Sequence, residues 1–97
     1  MNRDEFEADA RRQGYEVRDA GIEPNVHRES HAHGFDARLF ILAGHLTLVR
    51  GADRDTFGPG DICDVPAGTP HEEHTEADGV RYVAARRSAS QNAATGG

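Results

Sequence analysis

The stretch Gly60–His71 reads GDICDVPAGTPH and decides how the chain divides into strands. It follows directly on a glycine and a proline, a strong turn signal, and Ile62–Val65 then has the length of a short strand. Pro66 ends that strand. Pro66 and Pro70 lie at the two ends of the segment before His71 and restrict its backbone. Such rigidity would hold the imidazole of His71 in one position.

Short segments of alternating or dense apolar character lie on both sides of this stretch, separated by glycine or proline turns. Upstream are Val26–His33, Ala37–Ala43 and His45–Arg50, and downstream are His71–Thr75 and Val80–Ala85. Six to eight short strands at this spacing are typical of all-β sandwiches and barrels. The sequence therefore predicts an all-β fold.

The N-terminal segment has a different period. Asn2 and Glu5 have the spacing of a capping box, and Phe6 and Ala10 lie four residues apart on one helical face. The remaining residues of the segment are mostly charged. We therefore expect a short surface α-helix over 2–13.

Length and composition narrow the class of protein. The 97 residues suit one domain over 1–87, with the barrel from about 15 to 87, and the small polar residues 88–97 predict a disordered tail. Asp and Glu (17) outnumber Lys and Arg (11), which counts against nucleic acid as a partner. No apolar run approaches the ~20 residues of a membrane span.

Two further features indicate a cytoplasmic protein. The sequence has no basic segment followed by an apolar stretch, which is the pattern of a secretory signal. The single cysteine, Cys63, cannot form an internal disulfide, and we expect it to be a small buried hydrophobic residue.

Histidine is abundant, with six residues in the chain. His31 and His33 are two residues apart, which on a strand puts both side chains on one face about 7 Å apart. Two such imidazoles can chelate one metal ion, and an antiparallel strand of a barrel can bring His71 to them. Three converging imidazoles suit Zn, Fe, Ni, Cu or Mn.

The stretch that ends at His71 resembles the second of the two motifs of the cupin superfamily. That motif is Gly, five residues, Pro-x-Gly, two residues and His, and Gly60, Pro66, Gly68 and His71 match it without a gap. The resemblance implies a small double-stranded β-helix, the jelly-roll barrel of cupins, to which the N-terminal α-helix is added.

The first cupin motif is incomplete in this chain. That motif is HxH, then a Glu after three or four residues, then a Gly after six more. His31, His33 and Gly44 are in place, but the Glu maps to Ala37. The resemblance therefore supports three histidine ligands and leaves the fourth ligand open.

Two carboxylates are candidates to replace the missing one. Asp36 adjoins Ala37, but alternation points it to the opposite face, so only a bulge or loop would bring it in. Glu73 is two residues from His71 and shares its face, where it could complete the ligand set or act as a base beside the metal. Tyr82, on the last strand, is expected to line the cavity and could also move a proton. The remaining histidines and the acid beside them are expected to be structural or surface residues: His27, His45, Glu72 and His74.

The resemblance implies a metal-dependent oxidoreductase of dioxygenase type, acting on a small molecule inside the barrel. Cupins with three-histidine sites use Fe(II), and three neutral ligands leave positions for substrate and O₂. The metal itself is left open among Fe, Mn, Ni and Zn. The alternative is a non-catalytic protein that binds or senses a small molecule. A lyase or isomerase that uses Zn or Mn as a Lewis acid is a third reading.

Alternation along Ala37–Ala43 also predicts what covers each face of that strand. Leu39, Ile41 and Ala43 would point into the barrel, and Phe40 and Leu42 would point the other way. That second apolar face needs cover from the other sheet, the helix or a partner subunit. We expect a homodimer, which would also compensate for a small core.

Overall fold

The computed structural model describes residues 1–88, in which one helix is followed by eight strands. An all-β fold with a short N-terminal α-helix is therefore confirmed. The elements are α1 (Arg3–Arg12), β1 (Glu16–Ile22), β2 (His27–His31), β3 (Phe35–Gly44), β4 (Leu46–Arg50), β5 (Asp53–Phe57), β6 (Ile62–Val65), β7 (His71–His74) and β8 (Val80–Ser88).

The strands form two four-stranded antiparallel sheets, in the orders β1-β8-β3-β6 and β2-β7-β4-β5. β8 extends through Ser88, the first residue of the predicted tail, and residues 89–97 lie outside the described part of the chain. The domain boundaries stay a prediction. Within residues 1–88, no helix is both long and apolar enough to cross a membrane.

The main hydrophobic core lies between the two sheets. Cys63 is 1% exposed there, and burial raises the pKa of its thiol to about 12, so it packs as a small apolar side chain. The buried members of this core are Ile22, Leu39, Ile41, Leu46, Leu48, Cys63, Val65, Val80, Tyr82 and Ala84.

A second, smaller core lies under α1. The side chain of Asn2 accepts a hydrogen bond from the backbone N–H of Glu5, and the Glu5 side chain accepts one from that of Asn2, which completes the capping box. Phe6 and Ala10 are fully buried, and the Phe6 ring stacks on Phe40 at a centroid distance of 5.4 Å. The helix thus covers the outward apolar face of β3. The sequence had left open whether the other sheet, the helix or a partner subunit would cover that face. The homodimer stays a prediction.

A bulge changes the alternation near the end of β3. Leu39 and Ile41 are buried in the barrel as predicted, but Ala43 is exposed, so its inward prediction is wrong. The pairing of β3 with β8 shifts between Ile41 and Ala43, and the extra residue reverses the side-chain direction. Gly44 follows at φ +73°, where a Cβ would lie 2.1 Å from the carbonyl oxygen of Gly79. Only glycine fits that approach.

Candidate metal centre

Two strands and the loop before β7 bring three histidines together at the barrel interior. His31 ends β2 and is the Cα partner of His71, the first residue of β7, and His33 follows two residues after His31. The backbone N–H of Gly68 donates to the carbonyl of His33 at 2.9 Å, so the Pro-x-Gly loop holds the HxH segment. The potential donor atoms of the three imidazoles all lie within 4.8 Å of one another.

The orientation of two rings is set by the backbone. Nδ1 of His31 lies 2.8 Å from the carbonyl oxygen of Glu29, and Nδ1 of His71 lies 2.8 Å from that of Thr69. A carbonyl oxygen only accepts hydrogen bonds, so in the neutral form of each ring Nδ1 carries the proton and Nε2 keeps its lone pair. Histidine ligands of metals are oriented in this way. The donor set therefore fits a divalent transition metal.

The third ring is held by packing. The imidazole of His33 stacks on the ring of Phe35, with centroids 4.6 Å apart. Burial lowers the pKa of His33, and the nearby His31 and His71 lower it further. The neutral imidazole, which is the ligand form, is therefore favoured at neutral pH.

Glu73 points into the same region, on the face that alternation along β7 assigns to it. Glu73 is 8% exposed. Its Oε1 lies 3.4 Å from Nε2 of His31 and 3.4 Å from Nη1 of Arg28. The carboxylate is therefore close enough to contact an ion held by the histidines.

Asp36 is directed elsewhere. Its Oδ1 accepts a hydrogen bond from the backbone N–H of Ala67 at 2.8 Å, and its Oδ2 lies 3.5 Å from Nη2 of Arg87. Ala37, where cupins keep the motif Glu, does line the cavity beside the histidines. Of the two candidate carboxylates, only Glu73 lies with the histidine cluster.

A cavity of about 100 Å³ opens beside the cluster, lined by His33, His71, Glu73 and Tyr82 among others. This is smaller than the usual ~300–1,000 Å³ of sites for drug-sized ligands, so it suits a small molecule. Tyr82 is 8% exposed, and burial, followed by the charge of Glu73, raises its pKa. Its phenol therefore keeps its proton at neutral pH and can donate it in a hydrogen bond.

Several solved structures resemble this chain in fold. A Cupin 2 conserved barrel domain protein from Salinispora arenicola aligns with a TM-score of 0.66 at 22% identity, over 78% of this chain and 65% of that one. The cupin fold of this chain is thereby established. The polyketide cyclase RemF from Streptomyces resistomycificus also gives a TM-score of 0.66, at 23% identity, over 74% of this chain and 53% of its own.

A third similar structure is the DMSP lyase DddQ from Ruegeria pomeroyi. It has a TM-score of 0.66 and 25% identity over 73% of this chain, which spans 36% of the lyase. The chain thus covers about half of the cyclase and about a third of the lyase. No protein-family model and no curated protein matches the sequence.

Two arginines of the cupin cavity were missed by the sequence analysis. Arg28 and Arg86 line the cavity, and the guanidinium of Arg86 lies 4.8 Å from the centroid of the Phe35 ring. Arg86 is four residues after Tyr82 on β8, so alternation could have placed it. Arg28 could not have been found, because a bulge between Arg28 and His31 brings both side chains inward.

The remaining histidines lie on the outside of the cupin barrel, as expected. His45 pairs with Asp78 at 2.7 Å between Nδ1 and Oδ2. Glu72 and His74 point outward from β7, and His27 stands opposite His74 on β2. The sequence did not predict that these last three side chains converge, with their potential donor atoms within 4.8 Å of one another.

Proposed function

We propose that this cupin is a metal-dependent enzyme that acts on a small organic anion in the barrel cavity. The observation that carries the proposal is the convergence of His31, His33 and His71 within 4.8 Å, with backbone carbonyls fixing two of the rings. A metal site held this way requires no further rearrangement of those rings. Their place beside a small cavity favours catalysis or binding over a purely structural ion.

The charge of the cavity favours an anionic substrate. Arg28 and Arg86 supply two guanidinium groups, and the cavity also contains Glu73, which contacts Arg28. Guanidinium groups pair well with carboxylates through two parallel hydrogen bonds. In this proposal Arg86 anchors the anion, while Arg28 holds both Glu73 and the far end of the ligand.

The first candidate chemistry is that of a dioxygenase, as the sequence predicts. Fe(II) in a three-histidine site would supply O₂ chemistry, because three neutral ligands leave its other positions open. His31, His33 and His71 would hold the ion in that case. Glu73 would remove a proton from the bound substrate.

A second candidate is proton-transfer chemistry, of the lyase, isomerase or cyclase type. Glu73 and Tyr82 favour it because they place a carboxylate and a protonated phenol in the same cavity wall. Such a pair can take a proton from one position of a substrate and donate one at another. The similarity to a lyase and to a cyclase supports this candidate at the level of fold.

Metal analysis of protein prepared without a histidine tag tests the metal centre. We expect His33→Ala to lose one equivalent of Fe, Mn, Ni or Zn and to keep its β-sheet circular dichroism, because His33 is half-buried at the cavity. His45→Ala, which removes a histidine paired with a carboxylate outside the barrel, is the control and should change nothing. A metal content that His33→Ala leaves unchanged would contradict the proposal.

Two turnover assays distinguish the dioxygenase from the proton-transfer enzyme. O₂ consumption by the Fe(II)-loaded protein, measured over thiols, diketones and hydroxylated aromatics, is expected for a dioxygenase. Deuterium uptake from solvent into small carboxylates, lost in Glu73→Gln, is expected for proton transfer. Tight anion binding with neither reaction would instead identify a non-catalytic binding or sensor protein.

A further inference from the structure

A second group of metal-ligating residues lies on the outer face of the sheet that carries the barrel site. Along β7 the side chains alternate, so His71 and Glu73 point inward while Glu72 and His74 point outward. His27 on β2 is the Cα partner of His74. Two imidazoles and one carboxylate therefore meet on the solvent side.

Both imidazoles are directed at one carboxylate oxygen. Nε2 of His27 lies 2.8 Å from Oε1 of Glu72, and Nε2 of His74 lies 3.3 Å from the same atom. A tetrahedral zinc ion with bonds of about 2 Å separates its donor atoms by about 3.3 Å. The spacing of this triad is thus already close to that of a coordination sphere.

Packing holds the two rings side by side. The imidazoles of His27 and His74 stack with centroids 4.1 Å apart and an interplanar angle of 17°. Since both Nε2 atoms reach one oxygen, the two rings present the same edge to Glu72. A cation bound there would contact all three donors after small side-chain rotations.

The pair His45–Asp78 shows what an ordinary surface contact looks like in this protein. It has one imidazole and one carboxylate, with Nδ1 and Oδ2 2.7 Å apart. The outer triad differs because a second imidazole joins the carboxylate. Within residues 1–88, such convergence of three potential ligands occurs at this triad and at the barrel histidines.

We propose that His27, Glu72 and His74 form a second, solvent-facing site for a divalent transition metal, with Zn²⁺ the best match. Two neutral imidazoles and a carboxylate are a donor set that zinc accepts, and water can complete its coordination. The ion would link the edge strand β2 to β7. It would therefore strengthen the pairing of the strand that carries His31.

Zn²⁺ titration against a competing chromophoric chelator tests the site on the full chain. We expect two equivalents for the unaltered protein and one for His74→Ala, with the remaining equivalent at the barrel site. Glu72→Gln should weaken the outer site by about tenfold, because an amide is a poorer zinc ligand than a carboxylate. His45→Ala is the matched control and should keep two equivalents.

The double variant His33→Ala, His71→Ala separates this proposal from the metalloenzyme proposal. It should lose the barrel equivalent and keep the one that depends on His74. A titration in which His74→Ala still binds two equivalents would overturn the outer site and leave the barrel site standing. Two equivalents retained in the double variant would overturn the barrel site instead. Circular dichroism and thermal unfolding of each variant show that the fold is intact, and Glu72→Gln repeats the test with a substitution of nearly equal shape.

Discussion

The inner and outer faces of β7 carry the same residue types in different settings. His71 is buried, and the side chain of Glu73 is 10% exposed, whereas the side chains of His74 and Glu72 are 22% and 34% exposed. The carbonyl of Thr69 orients the inner imidazole of His71, while both rings of the outer triad rely on a carboxylate that is itself partly in water. The two faces therefore differ in how their rings are oriented more than in residue type. We therefore expect the inner site to bind metal more tightly.

The largest expected effect comes from neutralising the inner carboxylate of β7, that of Glu73. Glu73→Gln should weaken metal binding at the barrel site by about 100-fold, because its carboxylate adjoins His31 in a region where little water can replace it. Glu72→Gln is the matched control, since it makes the same change one residue away. It should leave the barrel affinity unchanged.

Chelator competition with each variant measures both affinities. If Glu72→Gln weakened the barrel site as much as Glu73→Gln, the two faces of β7 would not be independent. The carboxylate of Glu73 would then have no special effect on the barrel site compared with that of Glu72.

A smaller effect is expected from the cavity arginines. Arg86→Gln should weaken the binding of a small dianion such as malonate to the metal-loaded protein by about tenfold, the equivalent of one charge-assisted hydrogen bond. Arg81→Gln removes an arginine of the same strand, β8, that does not line the cavity, and serves as the control. Calorimetric titration of malonate gives both dissociation constants. Equal losses in the two variants would indicate long-range charge and not a contact in the cavity.

The smallest effect is expected from restoring a carboxylate at the position where cupins keep their motif Glu. Ala37→Glu should tighten metal binding at the barrel site by only about threefold, because the attraction of the new charge is offset by the cost of burying it. Ala43→Glu, at an exposed position of the same strand, should leave the affinity unchanged. Weaker binding in Ala37→Glu would show that Glu73 already fills that role and that the two carboxylates repel.

The spacing of the two motifs predicted more of this molecule than composition did. The offsets from Gly60 to His71 match a cupin motif, and that resemblance implied the barrel fold and the place of His71 beside His31 and His33. Simple alternation then placed Glu73 inside and His74 outside. These predictions needed no knowledge of how distant strands pair.

What the sequence did not reveal comes from irregular pairing. Strict alternation puts His27 on the face of His31 and Arg28 on the other, and the bulge in β2 reverses both. The bulge in β3 likewise turns Ala43 outward. The strand β5, DRDTF, was also hard to predict, since most of its residues are polar, exposed and without an apolar pattern.

The buried hydroxyl of Thr75 affects how β2 is aligned with β7. Its Oγ1 accepts a hydrogen bond from the backbone N–H of Val26 at 3.0 Å and donates one to the carbonyl of Glu23 at 2.6 Å, which fixes the segment entering β2 against the end of β7. A slip of β2 by one residue would turn Arg28 and His31 to the solvent and His27 to the interior. Thr75 thus helps to fix the alignment of β2 with β7, on which the inward direction of His31 depends.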